Sequence, residues 1–255
     1  MSLLTVTGLG KHFGGVKAVD GIDFTLSAGE LLALIGPNGA GKSTTFNMVN
    51  GQLKADTGSI QFCGKELIGL KPREIWRQGV GRTFQIAQVF LSVSVIENVQ
   101  IALLSADQQI FSFWKQAPKY RRDDAMALLE LVGMSTQADR PCHQLAYGDV
   151  KRVELAIAMA NQPKLLLMDE PTAGMAPKER NELMALTKKL VVDTQMAVLF
   201  TEHSMDVVFA HADRIIVLAR GRLIAEGPPL EIRDHPKVKE VYFGSGKTFE
   251  KSTNN

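Results

Sequence analysis

The sequence predicts an α/β fold: a mostly parallel core sheet, an antiparallel sheet at its N-terminal end, and a helical lobe inserted into the core. Three observations carry this expectation. Four short apolar runs, at 31–35, 165–168, 197–200 and 214–218, lack the alternation of half-exposed strands and suit strands buried on both faces. Helical stretches at 42–51, 150–161 and 177–193 lie between them, and strands alternating with helices imply a parallel sheet. Ahead of the first run, residues 3–6 and 22–26 alternate around a Gly14-Gly15 turn signal, and 59–62 reads as a third strand of that kind.

The remaining segments follow from the same reading. Residues 95–104 and 121–132 have helical character, and no second set of buried strands interrupts 86–163. That stretch is expected to form the helical lobe. Within it, 105–120 carries Phe111, Phe113 and Trp114, whose aromatic rings serve packing. Residues 1–85 and 164–243 are expected to form the core with its antiparallel sheet, and the polar stretch 244–255 to fray. All 255 residues thus form a single domain.

Composition excludes several classes. Apolar residues make up 45% and charged residues 22%, ordinary globular values that exclude disorder and coiled coil. A net charge of +2 nominates no nucleic acid partner. No apolar run approaches the ~18 residues of a membrane span, and no basic n-region with an apolar h-region marks a secretory signal. Cys63 and Cys142 stand far apart without clustering, so both are expected to be buried free thiols in a reducing cytoplasm.

Residues 36–44, Gly36-Pro37-Asn38-Gly39-Ala40-Gly41-Lys42-Ser43-Thr44, follow a buried strand and open a helix. This is the G-x4-G-K-[ST] pattern in the context its chemistry needs. Its glycines permit a tight turn that brings backbone N–H groups close to phosphate oxygens. Lys42 supplies a point charge for the β- and γ-phosphates, Ser43 a hydroxyl for Mg²⁺, and the helix N-terminus its positive dipole end. Asp169 and Glu170 end another apolar run, at the carboxyl end of a strand where open α/β sheets bind ligands. There Asp169 is placed to hold Mg²⁺ through water and Glu170 to polarise an attacking water.

With these motifs in hand, the chain resembles the ATP-binding subunits of ABC transporters over nearly its whole length. The resemblance implies a P-loop NTPase fold of the ABC ATPase type, with ATP and Mg²⁺ as ligands. It implies that Phe13 stacks on adenine. Gln85, in Gly81-Arg82-Thr83-Phe84-Gln85, would sense Mg²⁺ and water and touch the membrane partner. His203, in Phe200-Thr201-Glu202-His203, would hold the γ-phosphate. Leu145-Ala146-Tyr147-Gly148-Asp149 occupies the signature position, so Tyr147 and Gly148 would meet nucleotide held by a facing subunit. The apolar residues Ile86, Val89, Phe90 and Leu91 suit either a docking groove or core packing.

Within that family the chain looks most like the ATPases of branched-chain amino acid importers. The residues are Lys11-His12-Phe13-Gly14-Gly15-Val16-Lys17-Ala18-Val19, 81–85, Ala173-Gly174-Met175 and Ala225-Glu226-Gly227-Pro228. The implied partners are a sister ATP-binding subunit (a second copy or a cousin), two integral membrane permease subunits and, indirectly, a periplasmic solute-binding protein. The implied location is peripheral, on the cytoplasmic face of a bacterial inner membrane. Related ATPases for urea or amides, or for lipid extraction or export, remain the alternatives.

Two departures from the family pattern stand out. The usual signature Leu-Ser-Gly-Gly-Gln has become 145–149 as above, so Ala146 supplies no hydroxyl and Asp149 adds a negative charge, here expected to cap a helix starting at Val150. The loop after Glu170 usually ends in aspartate where this chain has Ala176. Both departures fall on elements that act across the dimer, whereas Lys42, Asp169, Glu170 and His203 are intact, which leads us to expect a heterodimer with unequal ATP sites.

Overall fold

The computed structural model describes residues 2–83, 88–107 and 120–243, and in these the chain builds two sheets. The first is antiparallel. Strands β1 (Ser2–Phe13) and β2 (Val16–Ser27) form a long hairpin closed by Gly14-Gly15, with Gly14 at a φ of +57°. β4 (Thr57–Phe62) pairs with the other edge of β1, and the short β5 (Lys65–Glu66) with β4, giving the order β2-β1-β4-β5.

The second sheet contains β3 (Leu31–Ile35), β6 (Val80–Thr83), β7 (Leu165–Asp169), β8 (Ala197–Thr201), β9 (Arg214–Ala219) and β10 (Arg222–Gly227) in the order β10-β9-β3-β8-β7-β6. Its strands run parallel except β10, which closes the edge as an antiparallel partner of β9.

The unbroken apolar runs follow from what covers each face. Leu31, Ala33, Ile35, Leu166, Met168, Val198, Phe200, Ile215 and Val217 face one hydrophobic cluster. That cluster is built with α3 (Val95–Ala106), α4 (Arg122–Leu131), α5 (Tyr147–Met159), α6 (Pro177–Thr194) and α7 (Met205–His211). The intervening residues Leu32, Leu34, Leu165, Leu167, Ala197, Leu199, Ile216 and Leu218 face a second cluster. It is shared with β1, β2, β4, α1 (Lys42–Val49) and α2 (Pro72–Arg77). Both periods of the strand are therefore buried, and no polar face is needed.

Four local features depart from the sequence expectation. β6 was not foreseen as a strand: Gly81 and Arg82 interrupt its apolar character, and its pairing with β7, from Val80 opposite Leu165 to Thr83 opposite Met168, places it in the sheet. The antiparallel edge β10 also lacked a distinct apolar signature. Helix α5 begins at Tyr147 with Ala146 at its N-cap, so Asp149 lies inside the first turn and does not cap a helix from Val150. Its carboxylate instead accepts a hydrogen bond of 3.3 Å from Gln137 Nε2. Cys142 is buried as expected, but Cys63 is exposed, because it occupies the tight β4–β5 turn at a φ of +50°. Residues 108–119, with Phe111, Phe113 and Trp114, and the stretch 244–255 lie outside the described residues.

Among the described residues, no helix is long and apolar enough to cross a membrane. Helix α3 shows how local chemistry sets an end: Ser94 caps it, its hydroxyl accepting from the Glu97 amide while the Glu97 carboxylate accepts from the Ser94 N–H at 2.7 Å.

Phe200 is fully buried at the centre of the sheet. Phe200→Ala is expected to destabilise the protein by about 3–5 kcal/mol, measured by urea denaturation, because the rigid sheet cannot collapse around the space left.

Candidate functional site

The loop 36–44 connects β3 to α1, and main-chain crowding sets its course. A Cβ at Gly36 would lie 2.2 Å from the Leu218 carbonyl oxygen, and one at Gly41 would lie 2.5 Å from that of Ala18. Gly41 also adopts a φ of +101°, so both packing and backbone conformation demand glycine there. Gly39 takes a φ of +78° with no neighbour near its Cα on the side a Cβ would occupy. The loop is thus wedged between two strand-end carbonyls, with its tip open.

That tip lines a cleft of about 520 Å³ formed with Phe13, Val16, Lys17, Ala18, Glu170, His203 and Arg220. Asn38, Gly39, Ala40, Gly41, Lys42, Ser43 and Thr44 all contribute to its wall. Gly36 and Pro37 lie behind, where their carbonyls accept hydrogen bonds from Lys42 Nζ at 2.7 and 3.2 Å. Burial lowers the Lys42 pKa from its ordinary value, and the negative charges of Glu170 and Asp169 oppose that shift. Phe13 ends β1 at the cleft's rim, about half exposed, with Lys11 Nζ 5.7 Å from its ring centroid.

The acidic pair sits at the carboxyl end of β7, beside the end of β8. Thr201 organises both residues. Its hydroxyl donates to Asp169 Oδ1 at 2.8 Å and accepts from the Glu170 N–H at 3.1 Å. Glu170 stands at a φ of +47°, a strained conformation for a non-glycine residue. Its Oε1 is 2.8 Å from His203 Nε2, so the two side chains share a hydrogen bond at the cleft wall. Buried Glu202 ties the two loops together, accepting from the Thr172 N–H and hydroxyl on one side and the His203 N–H on the other.

Sequence reasoning missed Thr201, Glu202 and Arg82 as members of this constellation. Thr201 and Glu202 adjoin His203 in the chain, a proximity that offered a signal. It missed Tyr242 as well, on the helix Pro236–Phe243. The buried Tyr242 hydroxyl faces the Gly36 N–H, and burial pushes its pKa well up.

Tyr147 and Gly148 lie elsewhere, in the first turn of α5 and outside the cleft's lining. They pack against the loop that follows Glu170 and the start of α6: the space beside the Gly174 Cα meets Tyr147, and that beside Gly148 meets the Glu179 carboxylate and Met175. Gln85 and Ile86 lie outside the described residues. Phe90 and Leu91 are exposed on a tethered loop, while Val89 packs against the core. The Asn98 carboxamide bonds the Phe90 N–H and carbonyl, and the His143 N–H bonds the Leu91 carbonyl.

The site's chemistry suits a polyanion bound with a hard cation. Loop amides and the N-terminus of α1 offer donors for phosphate oxygens. Among the described residues no three His, Cys, Asp or Glu side chains are grouped for a metal. The Ser43 hydroxyl and the Asp169 carboxylate are hard oxygen donors, and Mg²⁺ commonly needs only one or two protein ligands besides phosphate and water.

Residues 19–173 match the family model described as ABC transporter, and residues 222–248 match the one described as branched-chain amino acid ATP-binding cassette transporter. The chain is 41% identical over 252 residues to the high-affinity branched-chain amino acid transport ATP-binding protein LivG of Salmonella typhimurium, covering 95% of this chain and 98% of the relative. It is 37% identical over 249 residues to BraF of Pseudomonas aeruginosa, described in the same words, with the same coverage of 95% and 98%. A crystal structure of the ADP conformation of an ATP-binding cassette of an ABC transporter superposes with a TM-score of 0.86 at 34% identity, covering 96% of this chain and 99% of that one. With the phosphate-loop geometry and these matches together, the chain belongs to the ABC transporter family as one of its ATP-binding, ATP-hydrolysing proteins.

Proposed function

We propose that this chain hydrolyses ATP to drive uptake of branched-chain or related amino acids through separate membrane subunits. The observation that carries the reading is the convergence of Lys42, Glu170 and His203 on one cleft, with Asp169 beside it. The C-terminal match to branched-chain amino acid cassettes supports the solute class.

In this reading the amides of the 36–44 loop and the α1 N-terminus receive the phosphates, and Phe13 stacks on the base. Lys42 exchanges its bonds to the Gly36 and Pro37 carbonyls for phosphate oxygens. Ser43, Asp169 and Gln85 would hold Mg²⁺. When bound, Mg²⁺ supplies positive charge to the phosphate oxygens. Glu170 orients the attacking water and accepts its proton, and His203 positions the Glu170 carboxylate and meets the γ-phosphate. Tyr147 and Gly148, outside their own chain's cleft, serve the nucleotide of a facing ATP-binding subunit. Closure of that pair requires nucleotide in the interface, so hydrolysis releases it.

The assembly comprises two ATP-binding subunits and two membrane permeases, fed by a periplasmic solute-binding protein, with this chain peripheral on the cytoplasmic face of a bacterial inner membrane. The departures at Ala146, Asp149 and Ala176 favour a heterodimer with a cousin that carries the more usual signature. The stretch 86–163 transmits the motion, and the exposed Phe90 and Leu91 contribute to the permease contact.

Glu170→Gln is expected to retain nucleotide affinity while turnover in an ATPase assay falls at least ~100-fold, the scale of a lost general base. Lys42→Ala is expected to weaken ATP binding ~10- to 100-fold by calorimetry, as lost charge-assisted hydrogen bonds would. Thr201→Val, nearly isosteric, is expected to lower turnover about tenfold with nucleotide affinity kept, because Asp169 and Glu170 both lose a fixed partner. Radiolabelled leucine uptake in a deletion strain tests the solute class: the wild-type gene restores it and Glu170→Gln does not.

A further inference from the structure

Arg82 occupies a position that the mechanism above does not use. It lies on β6 opposite Leu167 of the parallel neighbour β7, two residues before Asp169. Its side chain is only 10% exposed. Nη1 donates to Gln52 Oε1 at 2.7 Å, and both terminal nitrogens lie 3.3 Å from Asn47 Oδ1. The guanidinium carbon stands 5.5 Å from the Phe46 ring centroid, a cation–π arrangement. Nη2 then reaches to 3.5 Å from Asp169 Oδ2.

Asp169 is therefore flanked on two sides. A neutral hydroxyl, that of Thr201, bonds Oδ1, and a buried cation flanks Oδ2. The contact to the cation is longer than a committed hydrogen bond, while Asn47 and Gln52 engage the terminal nitrogens. Burial lowers the guanidinium pKa, and the Asp169 charge opposes that shift. Desolvating a full charge is expensive unless it is paired. A packing role alone would be met by a neutral side chain; a charge at this distance also sets the potential at the carboxylate.

We propose that Arg82 is a positioning residue that fixes Asp169 and, by its charge, limits how tightly the site takes up Mg²⁺. The proposal rests on the reading of Asp169 as the Mg²⁺-holding carboxylate. A fixed cation beside that carboxylate subtracts from its attraction for a divalent ion while holding its oxygens in place. Gln52 and Asn47 tune the effect by restraining the guanidinium.

The test is the Mg²⁺ concentration for half-maximal binding of fluorescent ADP to the full-length chain, a readout independent of turnover. Arg82→Gln is expected to lower that concentration three- to tenfold while kcat falls, and Arg82→Lys, which keeps the charge, to stay within twofold of wild type. Gln52→Leu removes the shorter of the guanidinium's amide anchors, shifts the cation toward Asp169 and is expected to raise the concentration at least twofold. The opposite signs separate this role from loss of structure, which would weaken uptake in both. Unchanged values in both variants, or a rise in folded Arg82→Gln, overturn the proposal; Gln52→Leu decides alone should Arg82→Gln not fold. A Mg²⁺ requirement left unchanged by Asp169→Asn overturns the assignment of Asp169 instead, a failure that is read separately.

Discussion

The site is organised by the burial of one ammonium. Lys42 opens α1, bonds the carbonyls of its own loop and feels the carboxylates at the end of β7. A lysine removed from water requires acceptors, and a folded loop of carbonyls is what this chain provides. The same geometry makes the charge available: phosphate oxygens are stronger acceptors than carbonyls, and residues 38–44 of the loop already line the cleft. The loop keeps its course because Leu218 and Ala18 carbonyls crowd two of its glycines, and its own Gly36 and Pro37 carbonyls then hold the ammonium.

Around that charge, the structure fixes the acidic groups through neutral donors and one cation. Thr201 serves Asp169 and Glu170 together, and Glu202 links the loop after Glu170 to the loop of His203. This network rests on adjacent parallel strands whose carboxyl ends lie side by side, Asp169 opposite Thr201. The double-sided burial of those strands holds the register: a one-residue slip would exchange the two hydrophobic clusters and displace every group in the site.

Much of this was legible from the chain alone. The four apolar runs appear as β3, β7, β8 and β9, and the helices at 42–51 and 177–193 as α1 and α6, because periodicity and length are local properties. The phosphate loop was legible because its chemistry requires contiguous residues. β6 was not, since four residues including Gly81 and Arg82 carry no pattern and gain their strand geometry from β7. The start of α5 differs by three residues because Asp149 has the chemistry of an N-cap but lies inside the first turn, where Gly148 packs beside Glu179. Cys63 was misjudged because exposure in a tight turn depends on what packs over it.

The sequence by itself determined the α/β class, the phosphate loop and the order of the acidic pair and histidine, because each is written in neighbouring residues. Only the tertiary structure decided that Thr201 bridges Asp169 and Glu170, that Arg82 reaches Asp169 from a strand far off in sequence, and that Tyr242 faces Gly36. Those relations arise from strand order and helix docking, which bring together groups whose separation along the chain carries no signal of contact.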